Sequence, residues 1–270
     1  MKNFAKAVNR RLHPAKRKLT KKLNIGLTSR RKLERLKSYQ KHFQLLEPEG
    51  LLDYYLSGSY PKLTKIVEQS KSQISQDIFV AFETMFKERG FFVEFGATNG
   101  FDLSNTWMLE NLLGWNGILA EPAINWHRDL KANRKCAIEF DCVWTNTGEN
   151  LTFNQTADKE LSTLAKFNDR DGHAAARSFG KTYTVSTISL LDLLKKHKAP
   201  KEIDYLSIDT EGSEFEILNA FDFDAYDIRI ITCEHNYTED REKINKLLTA
   251  KGYKRKLENL SQFDDWYVRN

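Results

Sequence analysis

Long apolar runs, paired cysteines and a secretory leader are all missing from this sequence. No stretch approaches the roughly 18 consecutive apolar residues that a membrane-spanning helix requires. The first residues contain no apolar core of the kind found in secretory signals, so we expect a cytoplasmic protein. The three cysteines, Cys136, Cys142 and Cys233, are odd in number and form no C-x-x-C pattern. This argues against both a disulfide framework and a zinc cluster.

The charge of the chain is divided unevenly. Residues 1–41 contain fifteen Lys and Arg residues and one acidic residue, whereas the remainder contains 27 basic and 36 acidic side chains. We predict a basic helical N-terminal arm over residues 1–47. It would lie on an anionic membrane surface, bind nucleic acid, or pack on the acidic body. In a homo-oligomer, the body on which it packs would be that of a partner subunit. The membrane surface is favoured over nucleic acid, because no RNA-binding motif accompanies the arm. An Arg-rich, acid-poor beginning is also typical of a mitochondrial transit peptide.

Residues 91–100, FFVEFGATNG, join a short apolar run to a glycine turn. The run predicts a buried strand, which Glu94 interrupts, and Gly96 and Gly100 permit a sharp bend and a close approach to a ligand. A helix is predicted over Leu103–Leu113. Strand, glycine loop and helix is the order in which open α/β sheets bind nucleotide cofactors. The spacing E-x-G-x-x-x-G matches neither the dinucleotide fingerprint nor the P-loop, and it disfavours a dehydrogenase.

Acidic residues recur at the ends of further predicted strands. Glu121 follows the second strand, where nucleotide-binding α/β folds accept hydrogen bonds from ribose hydroxyls. Residues 135–144 predict a third strand, which reaches Asp141 and Cys142 near its end. Two later strands end in Asp209 and in Glu234 with His235. The carboxyl ends of parallel strands meet at one edge of a sheet, so this edge is the predicted site.

Two segments lie outside this alternation of strands and helices. Residues 48–90 predict a helical lead-in that covers the sheet, including one long helix over Ile74–Arg89. Residues 156–182 are polar and irregular, and a loop of this length is usually functional or mobile. His173 and Arg177 stand four apart and would face the same way on a helix. A substrate lid and a surface insertion are both open interpretations.

The segments together resemble the FkbM-type family of S-adenosylmethionine-dependent methyltransferases. The stretches that carry the resemblance are VEFGATNGFDLSNTWMLE (93–110), GILAEP (117–122), TISLLDLLKK (187–196), IDYLSIDTEGSEFEIL (203–218) and ITCEHN (231–236). The resemblance implies a single Rossmann-like class I methyltransferase domain over residues 91–270. In this α/β fold, helices flank a mostly parallel seven-stranded sheet. The basic arm is not part of the resemblance.

The resemblance further implies methyl transfer from S-adenosyl-L-methionine to an oxygen, commonly a hydroxyl of a sugar, glycan or related natural product. It implies these cofactor-binding residues: Glu94, Gly96, Ala97, Thr98, Asn99, Gly100, Ser104, Asn105, Glu121, Pro122, Asp141, Cys142 and Asp209. The glycine loop would hold the methionine part of the cofactor. Glu121 would hold the ribose, and Asp141 with Cys142 would lie at the adenine.

A hydroxyl group is a poor nucleophile at neutral pH, so O-methylation requires a base or a metal ion beside it. His235 is the predicted base, because it ends a core strand beside Asp209, which would orient the acceptor or this histidine. Mg²⁺ held by Asp209 and Glu234 is the alternative. The predicted substrate contacts are His173, Arg177 and Glu211.

Two interpretations from other classes are also open. One is a catalytically inactive S-adenosylmethionine-binding or scaffold protein. The other is an RNA methyltransferase that uses the basic arm. The acidic body and the lack of the N/D-P-P-Y/F motif of amino-directed methyltransferases argue against the second.

Overall fold

The computed structural model describes residues 60–269, so the predicted arm over residues 1–47 and the first part of the lead-in lie outside the described residues. The helices are α1 (Tyr60–Gln69), α2 (Gln76–Glu83), α3 (Trp107–Leu113), α4 (His127–Asn133), α5 (Ala174–Arg177), α6 (Leu190–Lys196), α7 (Glu214–Ala220) and α8 (Asp240–Ala250). The strands are β1 (Phe91–Phe95), β2 (Asn116–Ala120), β3 (Ala137–Glu139), β4 (Cys142–Trp144), β5 (Asn150–Gln155), β6 (Thr163–Leu164), β7 (Lys181–Ser189), β8 (Glu202–Ile208), β9 (Asp227–Glu234), β10 (Tyr253–Lys256) and β11 (Asp264–Arg269).

Seven strands form the main sheet in the order β10-β11-β9-β8-β1-β2-β3. Strand β11 runs antiparallel to both of its neighbours, and the other adjacent pairs are parallel. The sheet is therefore mixed, and the prediction of seven mostly parallel strands is confirmed. The last two strands, β11 and β10, form the antiparallel end of the sheet, and β10 is the edge strand.

The central strands are continuous apolar runs, which is typical of parallel strands buried on both faces. In β8, Ile203, Tyr205, Leu206 and Ile208 are each at most 1% exposed. Burying side chains of this size stabilises the fold by about 1.5–3 kcal/mol each. The pairing register aligns Phe95 with both Ala120 and Ile208, and Ile208 with Cys233. The residues that follow these four strand ends are therefore brought to one edge.

A smaller sheet has the order β4-β7-β5-β6. Residues 135–144 are predicted to form one strand, but the chain breaks at Phe140. One carboxylate oxygen of Glu139 accepts the backbone N–H groups of Phe140 and Asp141, at 3.0 and 3.2 Å. As a result β3 stays in the main sheet, and β4 pairs in parallel with β7.

Two helices are shorter than their periodicity predicts. Helix α2 ends at Glu83, because Met85 and Phe86 adopt positive φ. The Thr84 hydroxyl donates a hydrogen bond to the carbonyl oxygen of Val80 at this end. Helix α3 begins at Trp107 rather than at Leu103, since the preceding residues wrap around a buried carboxylate. Across residues 60–269, no helix is long and apolar enough to cross a membrane.

Candidate active site

A cavity of about 360 Å³ opens at the C-terminal ends of β1, β2, β8 and β9. The turns that follow these strands supply its floor, and residues 160–164 with His173 supply part of its wall. The cavity has a polar, acidic side and an apolar side. This is the edge at which open α/β sheets bind their ligands.

The glycine turn after β1 is fixed by its contact with the neighbouring strand end. Gly96 has a φ of +71°, and a Cβ atom at this position would lie 1.8 Å from the carbonyl oxygen of Asp209. Only glycine allows the ends of β1 and β8 to approach this closely. Thr98, two residues further on, also has a positive φ, of 47°. The turn therefore presents its backbone to the cavity.

Glu94 is 3% exposed, and its carboxylate is held by the loop before α3. It accepts the backbone N–H of Asn105 at 2.7 Å, the hydroxyl of Ser104 at 3.1 Å, and the hydroxyl of Thr106. Arg134 adds a buried guanidinium whose Nη1 lies 3.5 Å from Glu94 Oε2. A buried carboxylate with this many donors and a counter-charge is an organising element of the fold.

Glu121 is buried between two backbone donors. Its oxygens accept the N–H groups of Thr98 and Ala123, each at 2.8 Å, so the carboxylate joins the glycine turn to the end of β2. Burial raises the pKa of Glu121 to about 7, against the lowering effect of these two hydrogen bonds. Because each carboxylate oxygen can accept more than one hydrogen bond, Glu121 retains capacity for a ligand hydroxyl.

The opposite side of the cavity is apolar. Its lining there comes mainly from aromatic and aliphatic side chains of β4, β5, β6 and the turn before α4: Trp126, Cys142, Val143, Phe153 and Leu164. Burial raises the pKa of the Cys142 thiol to about 12, so this cysteine is a neutral apolar contact. A flat aromatic ring fits this side.

Three carboxyl groups converge on the polar side. One oxygen from each of Asp209, Glu211 and Glu234 lies within 4.8 Å of the others, an arrangement that could hold a divalent cation. Burial, with the like charge of Glu214, raises the pKa of Asp209 to about 7. Burial and Asp209 raise the pKa of Glu211 to about 9, against the lowering effect of the neighbouring Arg177 guanidinium, and burial also raises the pKa of Glu234. Like charges this close cannot all ionise, so the cluster holds protons or a cation.

His235 does not face the cavity, although its chain neighbours Glu234 and Asn236 line it. Its Nδ1 accepts the backbone N–H of Tyr237 at 2.9 Å, and its Nε2 lies 3.8 Å from Asp265. Side chains of consecutive residues point to opposite faces along a strand, which directs His235 away from Asp209. The geometry contradicts the prediction that His235 is the base.

The predicted lid residues divide between two environments. His173 lines the cavity and is exposed, so it lies at the cavity mouth. Arg177 is 1% exposed and pairs with Asp171 and Glu211, so it does not reach the cavity. The expectation that both residues contact substrate is therefore wrong for Arg177. Residues 156–182 also contain β6 and α5 and are not a loose surface insertion.

A family model for the methyltransferase FkbM domain matches residues 94–266, more than half of the chain. The chain belongs to the FkbM methyltransferase family. No curated protein matches it. Among solved structures, an FkbM methyltransferase from Methylobacillus flagellatus KT is 12% identical, with a TM-score of 0.39, and the match covers 78% of this chain and 58% of that one.

Two further solved structures are similar at the same level. An O-methyltransferase from Bacillus cereus in complex with SAH is 11% identical, with a TM-score of 0.40 and coverage of 77% of this chain and 89% of that one. A precorrin-6y C5,15-methyltransferase from Geobacter metallireducens GS-15 is 9% identical, with a TM-score of 0.39 and coverage of 71% and 85%.

The methyl donor of this FkbM methyltransferase is S-adenosyl-L-methionine, and the cavity fits it. The glycine turn offers backbone where a side chain would collide, and Glu121 offers acceptor oxygens for ribose hydroxyls. Asn105 lines the cavity and is 8% exposed, and its Oδ1 is a buried acceptor without a partner among the described residues. An unpaired buried acceptor is costly, and an ammonium group would satisfy it. The apolar residues of the lining would suit an adenine ring.

Three residues that were predicted to bind the cofactor lie outside the cavity lining. Asn99 closes its own turn, since its Oδ1 accepts the N–H groups of Phe101 and Asp102 at 2.9 Å. Gly100 gives room for α4, because a Cβ there would lie 2.6 Å from Leu130. Asp141 has a partly exposed side chain that points to Lys196, at 3.8 Å. The other predicted cofactor residues line the cavity.

Several residues of the site were missed by sequence reasoning. Arg134 is the counter-charge of Glu94, forty residues away in the chain, and no local pattern marks it. Trp126 and Phe153 line the cavity but belong to no motif of the sequence. Asn236 also lines the cavity, and its signal is the stretch EHN, in which the prediction selects His235.

Proposed function

We propose that this FkbM methyltransferase acts on oxygen and methylates a hydroxyl group of a sugar, glycan or related natural product. The observation that supports it is the position and acidity of Asp209. Its carboxyl group follows β8, lines the cavity beside the glycine turn, and has a pKa raised to about 7 by burial. A general base is most effective when its pKa lies near the working pH. Asp209 therefore replaces His235 as the proposed base.

S-adenosyl-L-methionine supplies a methyl group that its positively charged sulfur has already activated. Methyl transfer to the acceptor oxygen would leave the electron pair of the carbon–sulfur bond on sulfur, so the protein itself has to supply an acceptor for the hydroxyl proton. The hydroxyl proton passes to the Asp209 carboxylate. Glu121 and the glycine turn hold the donor in place, while residues 160–164 help to exclude water from the cavity.

The charge of the cavity supports a neutral acceptor. Within residues 60–269, its lining contains seven acidic residues and no Lys or Arg: the acids are Glu94, Asp102, Glu121, Glu160, Asp209, Glu211 and Glu234. Phosphate groups and nucleic acid backbones bind mainly through Lys and Arg. A polyhydroxyl acceptor fits this lining better than RNA does, and this argues against an RNA methyltransferase.

The cluster of Asp209, Glu211 and Glu234 supports a second way to activate the hydroxyl. A divalent cation such as Mg²⁺ at these carboxylates would acidify a hydroxyl group bound to it. Turnover that is lost on chelation and restored by Mg²⁺ would favour this route. Turnover that is insensitive to chelation would leave Asp209 as the base.

The decisive experiment compares Asp209→Asn with Asp141→Asn, a matched change at a partly exposed carboxylate outside the cavity lining. Transfer of labelled methyl groups to a panel of sugars and natural-product alcohols measures turnover, and calorimetric titration with S-adenosylhomocysteine measures cofactor binding. We expect Asp209→Asn to lose about 10²–10⁴-fold in turnover. Asp141→Asn and His235→Gln should stay within about threefold of the wild-type rate.

Two outcomes would contradict the proposal. Full turnover by Asp209→Asn would remove this residue from the chemistry. Tight cofactor binding without transfer to any hydroxyl acceptor would instead favour an inactive cofactor-binding or scaffold protein.

For the basic arm, residues 1–47, which lie outside the described residues, we propose binding to an anionic membrane surface. Clustered Lys and Arg side chains are each attracted to anionic lipid by about 1 kcal/mol. Cosedimentation with vesicles containing phosphatidylserine, compared with neutral vesicles and with single-stranded RNA, tests this. Binding to RNA alone would contradict it.

A further inference from the structure

One wall of the cavity is built by residues 157–180, here called the wall segment. It connects β5 to β7, and five of its residues line the cavity: Glu160, Leu161, Ser162, Leu164 and His173. Its regular elements are short, so its shape depends on specific contacts. Several of those contacts go to the turn after β8, residues 210–212.

Three residues of the wall segment donate hydrogen bonds to this turn. The Thr163 hydroxyl donates to the carbonyl oxygen of Glu211 at 2.9 Å, and Arg170 Nη1 donates to the carbonyl oxygen of Gly212 at 3.3 Å. Arg177 Nη2 donates to the carboxylate of Glu211 at 2.7 Å. The contacts of Thr163 and Arg177 are buried, whereas the Arg170 side chain is 29% exposed.

The turn adopts a backbone conformation that needs such support. Glu211 has a φ of +59° and Gly212 a φ of +120°. The left-handed region is uncommon for a residue with a long side chain, and it persists where surrounding contacts determine it. Such conformations cluster at functional sites, and Glu211 belongs to the carboxyl cluster of the cavity.

Arg177 is the centre of this arrangement. Its guanidinium donates two hydrogen bonds of 2.9 Å to Asp171 within the wall segment, and a third to Glu211. The same oxygen of Glu211 accepts Asn236 Nδ2 at 3.5 Å. The planar fork of an arginine suits two carboxylates at once, which a lysine ammonium does not match. A buried cation thus joins the wall segment to an acidic residue of the site.

We propose that Arg177 is a positioning residue that acts through Glu211. It fastens the wall segment to the turn after β8 and holds the Glu211 carboxylate at the cavity, without contacting substrate itself. The wall segment is then a permanent wall, fixed from inside the protein, and not a lid that opens in each cycle. Only the turnover measurement for this inference rests on the proposed function.

Hydrogen exchange tests the structural half without any substrate. We compare Arg177→Met, Arg177→Lys and the control Lys181→Met, which changes an exposed basic residue directly after the same segment. Arg177→Met should accelerate amide exchange over residues 157–180 by at least tenfold, Arg177→Lys by less, and Lys181→Met by under threefold. Unchanged exchange in Arg177→Met would overturn the inference. Where the methionine variant does not fold, Arg177→Lys supplies the same comparison.

A double-mutant cycle tests the half that concerns Glu211. Arg177→Lys, Glu211→Gln and the double variant are compared for kcat and for the acceptor KM. If Arg177 acts through Glu211, the fold-decrease in kcat of the double variant is at most about twice the fold-decrease of Glu211→Gln alone. Losses that multiply would show that Arg177 acts independently, which overturns the inference. A wild-type protein without turnover would contradict the proposed function and leave the exchange result intact.

Discussion

The ends of β1 and β8 are neighbouring strand ends with the same local design and opposite charge environments. Each carries an acidic residue at or just after the strand, then a turn with positive φ, then a helix. At β1, Glu94 is neutralised by Arg134 and receives three further donors. At β8, Asp209 instead meets Glu214 and Glu234, and burial raises its pKa to about 7.

This difference separates a carboxylate with a structural role, Glu94, from the carboxylate that we propose as the base, Asp209. A buried charge with complete partners is costly to disrupt, because removing one partner leaves the other charge buried and uncompensated. A buried carboxyl group among like charges has a shifted pKa and is poised to take up a proton or a cation, which is typical of functional sites. Both residues line the cavity, so their positions in the sequence motifs do not separate the two roles.

Removing the counter-charge at the β1 end should have the largest effect on stability. Arg134→Met leaves Glu94 and Glu110 buried without their cation, and breaking a buried pair in this way costs about 3–5 kcal/mol. Urea unfolding at pH 7 measures the change. Arg269→Met, which breaks an exposed pair with Asp227, is the control and should cost below about 1 kcal/mol. Equal losses in the two variants would refute the structural role of Arg134.

Glu121 is intermediate between the two strand ends, since backbone groups hold it but no cation does. Glu121→Ala should weaken S-adenosylhomocysteine binding by about 1–3 kcal/mol, or roughly 5–150-fold, because ribose hydroxyls lose their acceptor. Glu121→Gln retains an acceptor oxygen and should lose less. Calorimetric titration measures both, and an unchanged Kd for the alanine variant would remove Glu121 from the cofactor site.

The smallest predicted effect is a pH dependence that belongs to the β8 end. Burial raises the pKa of Asp209 from 3.8 to about 7, so the folded state binds more protons than the unfolded chain. The stability that this proton contributes is complete below pH 4 and is lost as the pH rises towards 7. Asp209→Asn should flatten the fall in urea midpoint between pH 4 and 7. Parallel pH curves for the variant and the wild type would contradict the raised pKa.

Most of the framework was accessible from sequence because it depends on local patterns. Short apolar runs such as residues 91–95 and 203–208 predict buried strands. Gly96 predicts the turn, where the nearby carbonyl oxygen of Asp209 leaves no room for a side chain. Element boundaries were less accessible. Helix α3 begins four residues late, because Glu94 takes the N–H and hydroxyl groups that would otherwise belong to its first turn.

The sequence by itself determined the α/β architecture, the family, and the set of strand-end acids from which the site is built. Hydrophobic periodicity and glycine spacing are properties of consecutive residues, so they can be read without a structure. The tertiary structure decided which acids are neutralised, that His235 points away, and that Arg177 lies inside the protein. Those outcomes depend on contacts between residues distant in the chain, and burial among those contacts sets the charge of each group.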